Sequence, residues 1–367
     1  RYLGIEQPEA RGSAPGVLAA AAPVLRAAGA DNVDENAITA LIEQDLAKLE
    51  AKLGRPLGIP VELHVAASFV DGDGAMWAIP VDANGGWSGT PVKCIIKIGK
   101  LGIEYAEQIT GGVPSAELES FIAHELFHCY SHTVGDPALG DTRPAWVVEG
   151  MAEWAGETIS GGSKVGQWTY WLGAPEHALF KRTYTAIGFW AHVDENSVGL
   201  WPVALDIQAA SDAGSSAAYE MTLAWANEAM LPTWGPGYFR DATHAPAWDQ
   251  SGAGIRSTTP IPLDLGDIGP GGGASLIAPA LAAAVYTMNL TADVVTMSSA
   301  DVGMAQYPDG VVGTLPLAEV LCTEPGGCGC PDGTPGAGTI FRQTIPGEAR
   351  VGLTGHLNGS QLNVTGW

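Results

Sequence analysis

The stretch FIAHELFHCYSH, residues 121–132, carries three histidines at four-residue intervals, His124, His128 and His132. Positions i and i+4 of a helix share one face and lie one turn apart, so His124 and His128 can bind one ion. His132 lies about 12 Å from His124 along a straight helix axis, which one ion cannot bridge. We therefore expect His132 to be an exposed residue at the helix end, favourable near the negative pole of the helix dipole.

The residues around the histidines predict a helix over 115–131. Ser115 follows Pro114 and can cap the first turn, and Glu117 and Glu119 lie where the helix dipole favours acids. The helical period predicts a buried stripe that consists of Leu118, Ile122, Leu126 and Cys129.

Glu125 completes the pattern His-Glu-x-x-His between His124 and His128. Imidazole nitrogen suits zinc, and a catalytic zinc keeps three protein ligands and one position open to water. A carboxylate beside the first ligand can accept a proton from that water and pass it to a leaving amine. The pattern alone arises by chance in roughly one chain in a hundred of this size, so a third ligand in the right place is decisive.

Glu149 is the predicted third ligand. It lies 21 residues after His128, in the stretch PAWVVEGMAEWAGE (144–157), which predicts a second helix over 144–158 with Pro144 in its first turn. Glu153 shares its face and can accept the free N–H of a ligand histidine, which fixes the orientation of the ring. Gly150 would allow close approach of a neighbouring helix.

His124-Glu125-x-x-His128 followed by WVVEGMAEW (146–154) resembles the gluzincins, the zinc metallopeptidases that include thermolysin and the zinc aminopeptidases. The resemblance covers residues 115–157. In that family a glutamate in a Trp-x-x-Glu-Gly-x-Ala-Glu segment is the third zinc ligand. The resemblance therefore implies that His124, His128 and Glu149 bind one zinc ion, that Glu125 is the general base, and that Glu153 supports a ligand histidine.

The resemblance also implies a side chain that stabilises the oxyanion opposite the zinc. Tyr184 in RTYTAIGFW stands four residues before Gly188, one residue more than the usual family spacing. The rivals for this role are Tyr170, His177 and His192. The aminopeptidase signature Gly-x-Met-Glu-Asn is absent from the sequence, so nothing in it supports an exopeptidase.

The predicted fold is α+β: a zincin-like catalytic domain of a small mixed sheet and helices, followed by a C-terminal β-sandwich. The 367 residues exceed what one hydrophobic core usually supports. The expected segments are an N-terminal segment with one helix packing on the catalytic domain (1–60), the catalytic domain (61–245), a Pro- and Gly-rich linker (246–275) and the β-sandwich (276–367).

Within these segments, a helix is predicted at 34–54, strands at 61–70, 75–81 and 92–99, and helices near 184–193, 198–211 and 215–231. By resemblance, residues 74–80 are the edge strand that binds extended substrate. The turn DGDG (71–74) lacks the rest of a calcium-binding loop, so a plain turn is expected there and a Ca²⁺ site has no support. Whether residues 1–30 belong to a pro-region is left open.

Five cysteines indicate an oxidising compartment. In CTEPGGCGC (322–330) a disulfide from Cys322 to Cys328 or Cys330 is expected, with a Cys-rich metal site as the alternative. Cys94 and Cys129 are either a disulfide or two buried thiols, and their spacing does not decide between the two. No run of eighteen apolar residues occurs, so we expect no membrane span and predict a secreted or cell-surface protein.

The net charge is −23, from 17 basic and 40 acidic residues, which argues against nucleic acid and anionic membrane as partners. Nine of the twelve tryptophans lie between 146 and 248 and favour an aromatic helical core. The alternative places Trp168, Tyr170 and Trp171 on a cleft wall, where they would stack on substrate.

The main hypothesis is a secreted zinc endopeptidase that acts on protein or peptide substrates. One alternative is a surface binding or adhesion protein, whose C-terminal domain contacts a surface polymer and whose zincin domain is structural or vestigial. Glu125 argues against it, because a structural metal has no use for a base beside an open position. Zinc-dependent hydrolysis of a non-peptide amide is the third possibility.

Overall fold

The structure, a computed structural model, describes residues 34–65, 76–99, 115–161, 165–226, 263–291, 295–299, 319–322, 341–343 and 347–366, except 88, 196, 356 and 358, and also residues 102 and 234. The chain divides into two compact units. The first consists of Arg1–Pro144, Ala152–Ser163 and Trp201–Ala218, and the second of Ala145–Met151, Lys164–Leu200 and Tyr219–Trp367.

Helix α1 (Glu35–Leu53) confirms the helix predicted at 34–54. The Asp34 side chain accepts a hydrogen bond from the Ala37 N–H at its start, and Gly54 ends it with a φ of 67°, in the left-handed region that favours glycine. The buried face contains the expected apolar residues Ile38, Leu41, Ile42 and Leu49, together with Asp45.

Asp45 is a fully buried carboxylate in the first unit, and sequence periodicity gave no sign of it. Burial raises the pKa of the Asp45 carboxyl to about 7, although a 2.9 Å hydrogen bond from Lys48 acts against the rise. Lys48 also donates to Glu119. Burial acts to lower the pKa of Lys48, but its hydrogen bonds to Glu119 and Asp45 outweigh burial and raise it. The cluster links α1 to the helix that carries the histidines.

The small sheet predicted before the histidine helix is present, with strands β1 (Val61–Val65), β2 (Met76–Asp82) and β3 (Pro91–Ile98). Its order is β1-β3-β2, with β1 parallel and β2 antiparallel to the central strand β3. Strand β2 is therefore an edge strand, and it covers most of the segment expected to bind substrate. The plain turn predicted at 71–74 lies outside the described residues.

Helix α2 (Ala116–Ser131) carries the histidines and begins where the Ser115 hydroxyl accepts a hydrogen bond from the Leu118 N–H at 3.1 Å, as predicted. The predicted apolar stripe is buried, but so is nearly every other residue from Ser120 to Ser131. Buried imidazoles and carboxylates need partners. Cys129 forms a disulfide with Cys94 in β3, with Cα atoms 5.8 Å apart, so these two cysteines are not free thiols.

Five further α-helices lie in the described part of the chain. They are α3 (Ala145–Ser160), α4 (Val165–Gly173), α5 (Ile187–Glu195), α6 (Ala204–Ala210) and α7 (Ser215–Trp225). Pro144 was predicted in the first turn of α3, but it is the N-cap and precedes that turn. The helix predicted from 198 starts only at Ala204, because Pro202 disfavours helical geometry in Trp201 before it.

The tryptophans of the second unit build an aromatic core. Trp146 stacks on Trp190, with ring centroids 5.2 Å apart, and on Phe180 at 5.4 Å. Trp168 and Trp171 are fully buried, so their predicted place on a cleft wall is wrong and the core assignment holds. Tyr170 differs from them, because half of its surface is exposed.

The C-terminal part contains two four-stranded sheets, with orders β4-β6-β10-β8 and β5-β11-β7-β9. The strands are β4 (Leu263–Ile268), β5 (Gly273–Ala278), β6 (Ala282–Leu290), β7 (Val295–Ser299), β8 (Glu319–Cys322), β9 (Phe341–Gln343), β10 (Gly347–Gly355) and β11 (Ser360–Gly366). The β-sandwich arrangement of these sheets stays a prediction. Cys328 and Cys330, the predicted partners of Cys322, lie outside the described residues.

The predicted linker at 246–275 is not free of regular structure. Strand β4 and the start of β5 lie inside it, because Leu263, Leu265 and Ile268 supply strand residues among the glycines and prolines. The strands that follow are also hydrogen-bonded to an earlier loop of the same unit. The Leu179 N–H donates to the Leu281 carbonyl at 2.7 Å, and the Ala283 N–H donates to the Pro175 carbonyl at 2.8 Å.

These elements confirm the α+β class. Within the described ranges, no helix is both long and apolar enough to cross a membrane.

Candidate metal centre

Helix α2 brings His124 and His128 together on one face, as their spacing predicts. Their Nε2 atoms lie 2.9 Å apart and their ring centroids 4.6 Å apart. Two ligands of a tetrahedral zinc ion, each at about 2.05 Å, lie about 3.3 Å apart. The two nitrogens therefore converge on one point at close to the separation that a single ion requires.

Glu149 joins the two histidines. One ligand atom from each of His124, His128 and Glu149 lies within 4.8 Å of the other two. The histidines are only 5% and 8% exposed, and Glu149 is half-buried. Two imidazole nitrogens and one carboxylate oxygen would leave a fourth tetrahedral position open, so the donor set fits a divalent metal with three protein ligands. The group predicted from the sequence is therefore positioned to bind a metal ion.

Glu153 lies one turn beyond Glu149 on α3. Its Oε2 atom is 3.9 Å from Nδ1 of His124, the ring nitrogen that does not face His128. Both side chains are buried. A hydrogen bond between these two atoms would fix the tautomer that presents Nε2 of His124 to an ion.

Gly156 explains how α3 comes so close to α2. A Cβ atom at this position would lie 2.5 Å from the Ser120 carbonyl oxygen and 3.3 Å from the His124 Cβ. A larger residue would push Glu153 away from His124. The sequence interpretation assigned close approach to Gly150 and missed Gly156. The signal was a second glycine inside a predicted helix, which costs stability unless packing requires it.

Gly150 has a different neighbour, in the second unit. A Cβ atom there would lie 2.6 Å from the Ala186 Cβ and 3.1 Å from the Thr183 carbonyl oxygen. The turn that approaches Gly150 is the 3₁₀ helix Tyr184–Ala186, which precedes α5 and replaces the first turn of the α-helix predicted at 184–193. Tyr184 is half-buried and lies in the turn that packs beside Glu149.

Glu125 is 8% exposed and follows His124 directly on α2. A helix turns about 100° per residue, so Glu125 lies on the flank of the face that carries the two histidines. Glu125 therefore adds an acid at the edge of the His124, His128 and Glu149 group.

The loop between α2 and α3 is held by Arg143, which the sequence interpretation did not single out. Its Nη1 donates to the Ser131 carbonyl at 2.8 Å, its Nη2 to the Val134 carbonyl at 2.6 Å, and its Nε to Asp212 at 2.6 Å. A guanidinium with five fixed donors suits this bridging role. Arg143 ties the end of α2 to the loop that returns the chain to α3.

His132 is the C-cap of α2, and its backbone N–H donates to the His128 carbonyl. Its position at the helix end confirms the prediction, although the residue is half-buried and not exposed. His132 is not part of the group that can hold a metal ion.

The rivals of Tyr184 occupy different environments. His192 is fully buried in α5. His177 is exposed and lies in a loop, where partial burial and the nearby Arg182 lower the pKa of its imidazole. Tyr170 is half exposed on α4. Thr183 and Ala186, on either side of Tyr184 in the sequence, lie against Gly150, the residue next to Glu149, and so does Trp190 of α5.

No protein-family model, curated protein or solved structure matches this chain. The relationship to the gluzincins stays a prediction that rests on the motif residues.

Proposed function

We propose that this protein is a zinc-dependent endopeptidase of the gluzincin type. The observation that carries the proposal is the convergence of His124, His128 and Glu149 within 4.8 Å, around a position that leaves one metal coordination site open. Helices α2 and α3 come close to each other at Gly156, and Glu153 of α3 lies 3.9 Å from His124 of α2. Of the metals that imidazole and carboxylate bind, zinc suits a hydrolytic site without redox chemistry.

A bound zinc ion supplies a Lewis acid that polarises a substrate carbonyl and makes a nearby water acidic. Glu125 would take a proton from the attacking water as the water oxygen bonds to the carbonyl carbon, and would give that proton to the amine nitrogen as the C–N bond breaks. Glu153 accepts the Nδ1–H of His124 and keeps Nε2 directed at the ion. The burial of Glu125 at 8% exposure supports this role, because it limits competing water around the carboxylate.

Tyr184 is the proposed oxyanion stabiliser, with its hydroxyl as the hydrogen-bond donor. The packing of the Thr183–Ala186 turn against Gly150 supports the assignment. The antiparallel edge strand β2 is the proposed binding site for extended protein or peptide substrate.

We further propose that the protein acts outside the cytoplasm and that its C-terminal sheets form a β-sandwich that contacts a surface polymer. The Cys94–Cys129 disulfide supports an oxidising compartment. The buried residues Leu276, Ala278, Val285 and Leu353, on strands of both sheets, support a packed core.

The test compares two glutamates of one helix in a peptide-library cleavage assay. Glu125→Gln should retain zinc and lose about 10²- to 10⁴-fold in the rate of hydrolysis, because the general base is removed and its shape is kept. Glu117→Gln, at an exposed position of the same helix, is the matched control and should keep full activity. Full activity in Glu125→Gln would exclude the mechanism. Absence of cleavage in the zinc-loaded wild type would favour the adhesion alternative.

A further inference from the structure

We propose that the Cys94–Cys129 disulfide is a positioning element of the metal site, coupled to it so that oxidation of the cysteines tightens metal binding and a bound metal protects the disulfide. This inference rests on the metal-binding part of the proposed function. Cys129 directly follows the ligand His128 in α2, and Cys94 lies in the sheet.

Cys94 is a fixed anchor because of its place in the sheet. It stands in the central strand β3, opposite Val61 of β1 on one side and Pro80 of β2 on the other. Its backbone N–H also donates to the Pro60 carbonyl at 2.9 Å. The disulfide therefore ties α2 to the middle of a three-stranded sheet, at the helical turn that carries the second histidine.

The disulfide restricts two movements of α2 that would displace the histidine ligands. A rotation of α2 by one residue position turns the histidine face by about 100°, and a slide by one residue moves it about 1.5 Å. A metal site tolerates displacements of only about 0.5 Å from its productive geometry. Because Cys129 is covalently fixed to β3, His128 is held against both displacements before any ion arrives.

Both cysteines are fully buried, so a reductant reaches the sulfurs only after α2 separates locally from the sheet. A thiol reductant then gives two electrons and two protons to the disulfide. The products are the Cys94 and Cys129 thiols and the disulfide of the reductant. Separation of α2 also displaces His128, so a bound ion opposes the opening that reduction requires.

Thermodynamic linkage makes the coupling reciprocal. If reduction weakens zinc binding tenfold, bound zinc must favour the oxidised disulfide tenfold, which corresponds to about 30 mV for this two-electron couple. A disulfide that only stabilised the fold would leave the zinc affinity of the folded protein unchanged.

The first experiment measures zinc affinity by competition with a chromophoric chelator. The Cys94→Ala/Cys129→Ala double variant should remain folded and bind zinc about tenfold more weakly, within the 10- to 100-fold range known for residues that support metal ligands. Ile96→Ala is the matched control, since Ile96 is fully buried two residues further along the same face of β3. It removes packing without removing a covalent link and should leave the zinc affinity within threefold of the wild-type value.

Three outcomes would overturn the inference. The first is wild-type zinc affinity in the double variant. The second is a loss of zinc affinity in Ile96→Ala as large as that in the double variant. The third is a wild type that binds no zinc. The last result would also end the proposed function, whereas the first two would leave it intact.

The second experiment uses the wild-type protein and does not depend on the folding of the double variant. Reduction of the 94–129 disulfide by a phosphine is followed by alkylation and mass spectrometry, at several concentrations of free zinc. At 100 times the zinc Kd, the reduction rate should fall about 100-fold, because the open population falls in that ratio. His128→Gln should show no zinc protection. A wild-type rate that is independent of zinc would overturn the inference.

Discussion

The two halves of helix α3 are buried in opposite ways. In the first half, Trp146 is enclosed by stacked aromatic rings of the second unit, and its backbone carbonyl accepts a 2.8 Å hydrogen bond from the Trp190 Nε1–H. In the second half, Glu153 and Glu157 are 3% and 7% exposed in the first unit, where Gly156 brings the helix against Ser120 and His124. Trp146 therefore contributes buried apolar surface, whereas Glu153 and Glu157 are buried acids.

The two settings differ in what burial costs. Burial of an aromatic side chain is favourable by itself. Burial of a carboxylate is costly unless a cation or hydrogen-bond donors compensate for it. Glu153 lies 3.9 Å from His124, and a bound metal ion would supply the compensating positive charge. We therefore expect substitution of Trp146 to change stability, and substitution of Glu153 or Gly156 to change metal affinity.

The largest expected effect is on stability, from Trp146→Ala. Removal of a fully buried indole should lower the free energy of unfolding by about 3–5 kcal/mol, because the cavity cannot collapse among stacked rings. Chemical denaturation measures the loss. The zinc Kd of the folded variant should stay within threefold of the wild-type value. A larger change in Kd would show that Trp146 also positions the metal ligands.

Asp45 on α1 provides a third type of buried group, an acid paired with Lys48. Its folded-state pKa of about 7 exceeds the ordinary value of 3.8, so the folded protein binds an additional proton between these pH values. Stability from this group is therefore complete below pH 4 and is lost as the pH rises through 7.

Asp45→Asn should remove this pH dependence. Relative to the wild type, its stability should rise by at most about 4 kcal/mol between pH 4 and pH 8, at 1.36 kcal/mol for each unit of pKa. Denaturation curves across this pH range provide the measurement. Parallel pH profiles for the two proteins would show that Asp45 titrates normally.

Glu153→Gln should change metal affinity and stability in opposite directions. Zinc should bind about 10- to 100-fold more weakly, because the amide is a poorer partner for the N–H of His124. The metal-free protein should be more stable than the metal-free wild type, because a buried charge is gone. Glu157→Gln, one turn further along α3, is the matched control and should alter the zinc Kd less than threefold. Equal effects of the two substitutions would argue against a specific role for Glu153.

Gly156→Ala should produce the smallest of these effects, a loss of about tenfold in zinc affinity. The added Cβ would lie 2.5 Å from the Ser120 carbonyl oxygen and would move α3 away from His124. Gly166→Ala in α4 is the control, because a Cβ there meets nothing within 4 Å. It should leave zinc binding unchanged and gain up to about 1 kcal/mol of stability from helix propensity. A Gly156→Ala variant with wild-type affinity would mean that the helix contact is looser than the geometry indicates.

The sequence predicted much of the candidate site because its residues obey local rules. The spacing of His124 and His128 defines a helix face, and Ser115 marks the helix start. Glu149 could be found because a Gly- and Pro-rich loop gives the chain room to return and lay a second helix beside the first. These features depend on short stretches of chain, where helical periodicity determines which side chains meet.

The remaining features depend on contacts between distant segments. Spacing could not pair Cys94 with Cys129, since one lies in a strand and the other in a helix. Gly156 differs from Gly150 only in its neighbours. Asp45 is buried where its partner Lys48 bonds to Glu119, 71 residues further along the chain than Lys48. Strand β4 was missed because Gly266 and Pro262 suggested a linker, although β6 provides it with a partner strand.

The central claim is that two of the three evenly spaced histidines, together with Glu149, bind one metal ion. Its most direct test is the zinc content of protein purified without chelator, measured for His128→Gln and His132→Gln side by side. The account predicts one zinc per chain in the wild type and in His132→Gln, and none in His128→Gln. Loss of zinc from His132→Gln, full retention in His128→Gln, or a wild type without zinc would contradict it.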